Sequence, residues 1–481
     1  MTINNDTICA VATATGGAIG IVRVSGPNAI RFTDSIFRSA SGRPLVDSRA
    51  GSVVFGQIID ADRQTVDEVL VSLFRAPHSY TGQDSTEISC HGSRYILEQV
   101  CRLLIDAGCR QAGPGEFTQR AFLAGKLDLS QAEAVADLIA SGNRATHRIA
   151  ISQLKGHFSS ELSILREQLL QLTSLLELEL DFADHEELEF ADRTELLSLA
   201  QRADDRITEL ARSFKTGQAL KEGIPVAIVG KTNVGKSTLL NRLLKDDRAI
   251  VSDIHGTTRD TIEDTIQING ATFRFIDTAG IRQTADAIEQ IGITRTFAAI
   301  DKALIVIWIT DAQPTAEDIN TITPHLEDKK LILAFNKCDL QSYNGFDASA
   351  LQLPQDSFKT IEISAKFNKN IPELEELIYS MADIPEINAD TVIVTQTRHY
   401  EALNNAHANL TRVIDGLTST LPGDLIAEDL RLVLQDLADI TGGAITPGET
   451  LQNIFSHFCI GKCHRETTLL CHCTIFLPLR M

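Results

Sequence analysis

The chain has 481 residues, 43% of them hydrophobic and 22% charged, with a formal net charge of −20. This composition excludes disordered and fibrous classes, and at roughly 150 residues per domain the length implies about three domains. The acidic balance excludes a chain-wide basic field for nucleic acid, so any RNA contact needs a local patch or a partner's surface.

The opening "MTINNDTICA" lacks the charged and apolar regions of a signal peptide. No run of about 18 apolar residues could span a bilayer, so the expected location is cytoplasmic, with no membrane partner. Cys9, Cys90, Cys101, Cys109 and Cys338 are scattered. In a reducing compartment they read as free buried thiols.

Residues 1–121 alternate apolar and polar positions, as in "GIVRVSG" and "DEVLVSLF", with a helical stretch near "SRYILEQVCRLLIDAG". This predicts an α+β domain. Residues 122–217 turn to long helical periodicity, ending in the acidic "ELELDFADHEELEFAD", which reads as a solvated helix end. Residues 218–383 alternate short apolar strands with helices, the pattern of a mostly parallel sheet flanked by helices. Residues 384–462 are helical again, so the α/β unit is expected as an insertion into one all-α domain.

The strongest chemical signal is "VAIVGKTNVGKSTLLNRLL". An apolar strand leads into a glycine loop and then a helix, the setting a phosphate loop requires. Gly230 and Gly235 let backbone amides curl around phosphates, Lys236 reaches the outer phosphates, Ser237 offers a hydroxyl to Mg²⁺, and Thr238 follows it. Downstream, "DTAG" places Asp277 near the metal and the Gly280 amide near the γ-phosphate. "NKCD" supplies Asn336, Lys337 and Asp339 for a guanine edge, and "SAK" supplies Ser364 and Ala365 behind the base. Four motifs in this order resemble the Ras-like GTPases. The place after the DxxG glycine, often a water-orienting Gln in such proteins, is Ile281, which cannot orient water. Positive charge for the transition state must also be found. From spacing alone, Asn233 reads either as a polar loop residue or as a ligand of a monovalent cation held by the "SDIHGT" stretch, with Thr258 completing the Mg²⁺ shell.

The terminal "FCIGKCHRETTLLCHC" gathers Cys459, Cys463, Cys471 and Cys473 with His464 and His472, and His457 stands just before it. Its thiols raise a zinc reading, but Cys471 and Cys473 are spaced too tightly for a C-x2-C knuckle.

Together, "GKTNVGKSTLLNRLL", "DIHGTTRD", "DTAGIR" with "EQIGI", "RQAGPGEFTQRAFLAGKLDLSQAEAVADLI" and "FCIGK" resemble the MnmE (TrmE) family of tRNA-modification GTPases, from about Asp6 to Lys462. The resemblance implies a folate-binding, dimerising N-terminal domain, a helical domain and an inserted G domain. It implies potassium activation through Asn233, Ser252, Ile254 and Thr257, and a water-directing role for Glu289. It puts tetrahydrofolate at Arg23, Glu87, Lys126 and Lys462, and a role in modification at Cys459. The implied reaction adds a carboxymethylaminomethyl or aminomethyl group to the wobble uridine of certain tRNAs, with a FAD-dependent partner subunit, MnmG. Residues 463–481 extend past the usual end of the family and read as an atypical tail. The competing reading is a switch GTPase acting as a ribosome-assembly or RNA-binding factor, which shares the whole nucleotide site. A third is a folate-dependent aminomethyl transferase with a regulatory G domain.

Overall fold

The computed structural model describes residues 6–181, 193–246, 264–276, 297–340, 358–385, 388, 391–419, 421–443 and 454–455. These divide into two compact units, one holding the described residues up to Ala136 and from Ala438 on, the other Asp137–Leu437.

In the first unit, seven strands form one sheet: β1 (Ile8–Val11), β2 (Ile19–Ser25), β3 (Phe37–Ser39), β4 (Val53–Ile59), β5 (Thr65–Phe74), β6 (Ser85–His91) and β7 (Arg110–Gln111). Their order is β3-β4-β5-β6-β2-β1-β7, and every pairing is antiparallel except β1 with β7. Alternation decides the faces. Val69, Val71 and Leu73 of β5, with Val22 and Val24 of β2, form a core with Leu97, Val100 and Leu104 of the helix Arg94–Asp106. The opposite face carries Arg23, Glu87, Phe55 and Leu70, none of them buried. The expected α+β character and the helix over this stretch are both present.

In the second unit, six strands take the order β13-β12-β11-β8-β10-β9. They are β8 (Ile224–Val229), β9 (Asp264–Ile268), β10 (Ala271–Phe275), β11 (Ile305–Thr310), β12 (Lys330–Phe335) and β13 (Phe358–Glu362). All pairings are parallel except β9 with β10. The apolar runs follow from burial on both faces: Ile307 and Ile332 pack toward the helices Lys236–Asp246 and Ile371–Met381, while Val306 and Leu333 pack against Ala299 and Ile300.

The helices on either side of this sheet in sequence pack together. Leu196, Ala200, Ala203, Ile207 and Leu210 are buried on the helix Arg193–Glu222, and Leu403, Ala406, Leu410 and Val413 on Thr397–Thr418. Their spacing of three and four makes one apolar stripe on each. The expected boundary at 217/218 falls inside Arg193–Glu222. Good helix formers continue to Glu222, and the chain turns only at Gly223, whose φ is +93°.

Candidate functional site: a phosphate loop tied to a base-binding loop

β8 is buried and ends at Gly230, where φ is +151°. A side chain there would run into the Ile309 carbonyl of β11. Asn233 follows at φ +66° and is exposed, and Gly235 at φ +103° leads into the helix Lys236–Asp246. A Cβ on Gly235 would collide with Asn336 Nδ2. The loop is thus shaped by glycine and asparagine in backbone regions other residues avoid.

Lys236 Nζ donates to the carbonyls of Gly230 and Lys231, each at 2.6 Å. Burial pushes the Lys236 ammonium below its ordinary pKa. An anion in the loop would offset that cost, so the cradle fits a phosphate group. Ser237 and Thr238 begin the helix behind it, with Ser237 half-buried and Thr238 exposed.

Asn336 stands at the end of β12, only 4% exposed. Its Nδ2 donates to the Val234 carbonyl at 2.8 Å, and its Oδ1 accepts from the Ala365 amide at 3.0 Å. It ties the phosphate loop to the "SAK" loop, and one Nδ2 hydrogen remains for a base edge. Lys337 takes φ +66° and its Nζ pairs with Asp311 at 2.6 Å. Asp339 is exposed one turn beyond, and Ser364 and Ala365 are buried. The structure therefore gathers Gly235, Lys236, Asn336 and Ala365 into one connected group. The tie from Asn336 to Val234 and the Lys337–Asp311 pair were missed in sequence, since nothing in spacing tells which side chain crosses between loops. Ser252, Ile254, Thr257, Thr258, Asp277, Gly280 and Glu289 lie outside the described residues.

A second constellation lies on the open face of the first sheet. Arg23 and Glu87 stand directly opposite in the β2–β6 register, with Arg23 Nη2 and Nε at 2.7 and 2.9 Å from Glu87 Oε1. The guanidinium lies 5.7 Å from the Tyr80 ring centre and 5.6 Å from that of Phe117. Tyr80 Oη bonds Thr118 Oγ1 at 2.9 Å, and burial raises the phenol's pKa. The Lys126 stem lies beside Gly82, two residues after Tyr80: its Cε would be 3.6 Å from a Cβ on Gly82. Two aromatic rings with a paired cation and carboxylate suit a planar heteroaromatic ring carrying hydrogen-bond donors. The rings were not anticipated from sequence. Cys459 and Lys462, with the terminal thiols of the zinc question, lie outside the described residues. Among the described residues no group of three or more His, Cys, Asp or Glu is placed to hold a metal, and no helix is long and apolar enough to cross a membrane.

Comparison with known proteins decides the family. "GTP-binding protein TrmE N-terminus" matches residues 7–126, and "MnmE helical domain" matches residues 129–459. The chain is 54% identical over 497 residues to the tRNA modification GTPase MnmE of Phocaeicola vulgatus, covering 96% of this chain and 99% of that one. The chain belongs to the MnmE family. A second MnmE, from Bacteroides thetaiotaomicron, is 54% identical over 468 residues, covering 96% of this chain and all of its own length (100%). Among solved structures, the G domain of the T. maritima FeoB iron transporter aligns with 33% of this chain and 99% of its own, at 25% identity and a TM-score of 0.25. The G-domain fold rests on the strand order above, not on that likeness. MnmE membership makes the chain a GTP hydrolase of tRNA modification, which selects this reading over the ribosome-assembly switch.

Proposed function

We propose that this chain is a potassium-activated GTPase that, with a FAD-dependent partner subunit (MnmG) and a tetrahydrofolate one-carbon donor, adds a carboxymethylaminomethyl or aminomethyl group to the wobble uridine of certain tRNAs in the cytoplasm. The observation that carries the potassium reading is Asn233, held at φ +66° and exposed at the mouth of a loop that is otherwise shaped for phosphate. In this reading its amide oxygen ligates a monovalent cation together with Ser252, Ile254 and Thr257. Such an ion, when bound, supplies positive charge beside the phosphates, where charge develops during hydrolysis.

The chain's own residues do the rest. Lys236 exchanges its two carbonyl partners for phosphate oxygens, and the amides after Gly230 orient the nucleotide. Ser237 and Thr258 hold Mg²⁺, Asp277 and Gly280 line the γ-phosphate side, and Glu289 directs the water. Asn336, Lys337 and Asp339, with the Ala365 amide, select guanine.

The folate reading rests on Arg23, Glu87 and the rings of Tyr80 and Phe117; Lys126, whose stem lies beside Gly82, and Lys462 are the further contacts proposed. Carboxylate oxygens of Glu87 can accept from a pterin's donors. Cys459 is assigned to the modification step.

GTP hydrolysis at saturating nucleotide, compared in KCl and NaCl at equal ionic strength, tests the first claim. We expect at least ten-fold faster turnover in potassium, lost in Asn233→Ala. Equal rates in both salts would remove the cation from the mechanism.

A further inference from the structure

The helices Arg193–Glu222 and Thr397–Thr418 enclose a groove of about 190 Å³ lined by Thr208, Arg212, Lys215, Tyr400, Asn404 and His407. None of these belongs to the nucleotide site or the folate constellation. Thr208, Arg212 and Lys215 recur at three- and four-residue spacing on one helix, and Tyr400, Asn404 and His407 on the other. Each set therefore makes a single stripe facing the groove.

Arg212 and Lys215 are exposed, and neither makes an ion pair among the described residues. On the same helix Arg206 is engaged by Glu161 and Glu209, and Lys221 by Asp137. In a chain of net charge −20, two cations three residues apart on one helix and without an ion pair among the described residues can draw an anion to the groove. His407 is held through Nδ1 by Asp204 at 2.6 Å. The floor of the groove includes Phe214 stacked on Tyr400, with ring centres 4.5 Å apart and planes at 13°.

We infer that this groove binds the sugar–phosphate backbone of tRNA. Arg212 and Lys215 would pair with phosphates, while the Thr208 hydroxyl and Asn404 amide reach ribose hydroxyls. The Tyr400 ring pair offers a surface on which an unpaired base can stack. An acidic protein can use the two cations, the hydroxyl and the amide as well; the ring pair, suited to a planar base, favours RNA. This inference rests on tRNA being the substrate.

The test uses the full-length protein and fluorescently labelled tRNA, with anisotropy titrations between 50 and 200 mM KCl. Arg212→Gln with Lys215→Gln removes both charges while keeping part of the aliphatic stems and the helix propensity. We expect about ten-fold weaker binding at the lowest salt, and a dependence of log K on log salt shallower by about one unit per cation removed. Arg212→Lys should keep the slope. GTP hydrolysis without tRNA should stay at the wild-type rate, since no groove residue touches the nucleotide site. Wild-type affinity and slope in the double glutamine variant would overturn the groove alone. Unchanged tRNA binding with weakened capture of the flavoprotein subunit would overturn it in favour of a protein-binding face. No tRNA binding by the wild-type chain would overturn both the groove and the substrate reading.

Discussion

Asn336 holds two loops with one amide. Its Nδ2 fixes the Val234 carbonyl and its Oδ1 the Ala365 amide. Asn336→Ala would bury both backbone groups without partners, at about 1–3 kcal/mol each. We expect the GDP dissociation constant to rise at least ten-fold by calorimetry, together with a lower melting temperature. A role confined to the base would leave the nucleotide-free protein's melting temperature unchanged. In the first unit, Arg120 of the helix Glu116–Leu123 is 4% exposed and pairs with Asp6 at 2.6 Å and Glu116 at 2.9 Å. Burial raises both carboxyls, but hydrogen bonds from Arg110 and Arg120 outweigh it and hold Asp6 and Glu116 below their ordinary range. A depressed carboxyl pKa stabilises the fold above its unfolded value, near 4, and that contribution is lost as pH falls through the folded value. Thermal melts of wild type and Arg120→Met should therefore differ most at pH 7 and converge toward pH 3. A constant gap would show that Arg120 contributes by packing alone.

At the scale of elements, the hairpin of β9 and β10 is fastened to the start of the helix Arg144–Leu154. Gln267 Nε2 donates to the Gly142 carbonyl at 2.8 Å, Asn143 Nδ2 to Thr272 Oγ1 at 2.8 Å, and the Ala145 amide to the Gly270 carbonyl at 3.1 Å. Asn143 is also the helix cap, accepting from the Thr146 amide at 2.8 Å. Asn143→Ala should cost about 1 kcal/mol for the cap, and more if the Thr272 bond contributes, as denaturant melts of Asn143→Ala and Asn143→Ser would separate. The cap could be read in "SGNRAT" as a pattern; its second bond, to a strand far along the chain, could not. Gly217 marks the same kind of junction. It sits inside the long helix Arg193–Glu222 with the Val394 carbonyl pressed against the space where a Cβ would go. Ser213 Oγ accepts from the Val394 amide at 3.0 Å alongside. Gly217→Val should destabilise the protein by about 1–3 kcal/mol through overpacking against backbone that cannot yield. An unchanged melting temperature would mean the two helical segments are not packed as one body.

At the scale of the molecule, Phe55 and Leu70 face each other across β4 and β5 and are 50% and 47% exposed, with Val53 beside them at 59%. An apolar stretch on an open sheet face fits the expected homodimer through the N-terminal domain. If the chain dimerises through this face, light scattering at micromolar concentration should show a dimer for wild type and a monomer for Phe55→Glu with Leu70→Glu, with GTP binding retained. Persistence of the dimer would place the interface elsewhere. The fold classes, the order of the elements and the phosphate loop were legible in sequence because they depend on local periodicity and on residues a few positions apart. Gly230 and Gly235 take backbone angles that glycine favours, and Lys236 follows at the fixed spacing of a phosphate loop, which a local pattern records. Tertiary structure alone decided which distant side chains meet: Asn336 with Val234, and Arg23 with Tyr80 and Phe117. Those contacts arise from strand register and helix packing, which bring together residues tens to hundreds of positions apart, and no local pattern in the chain records that pairing.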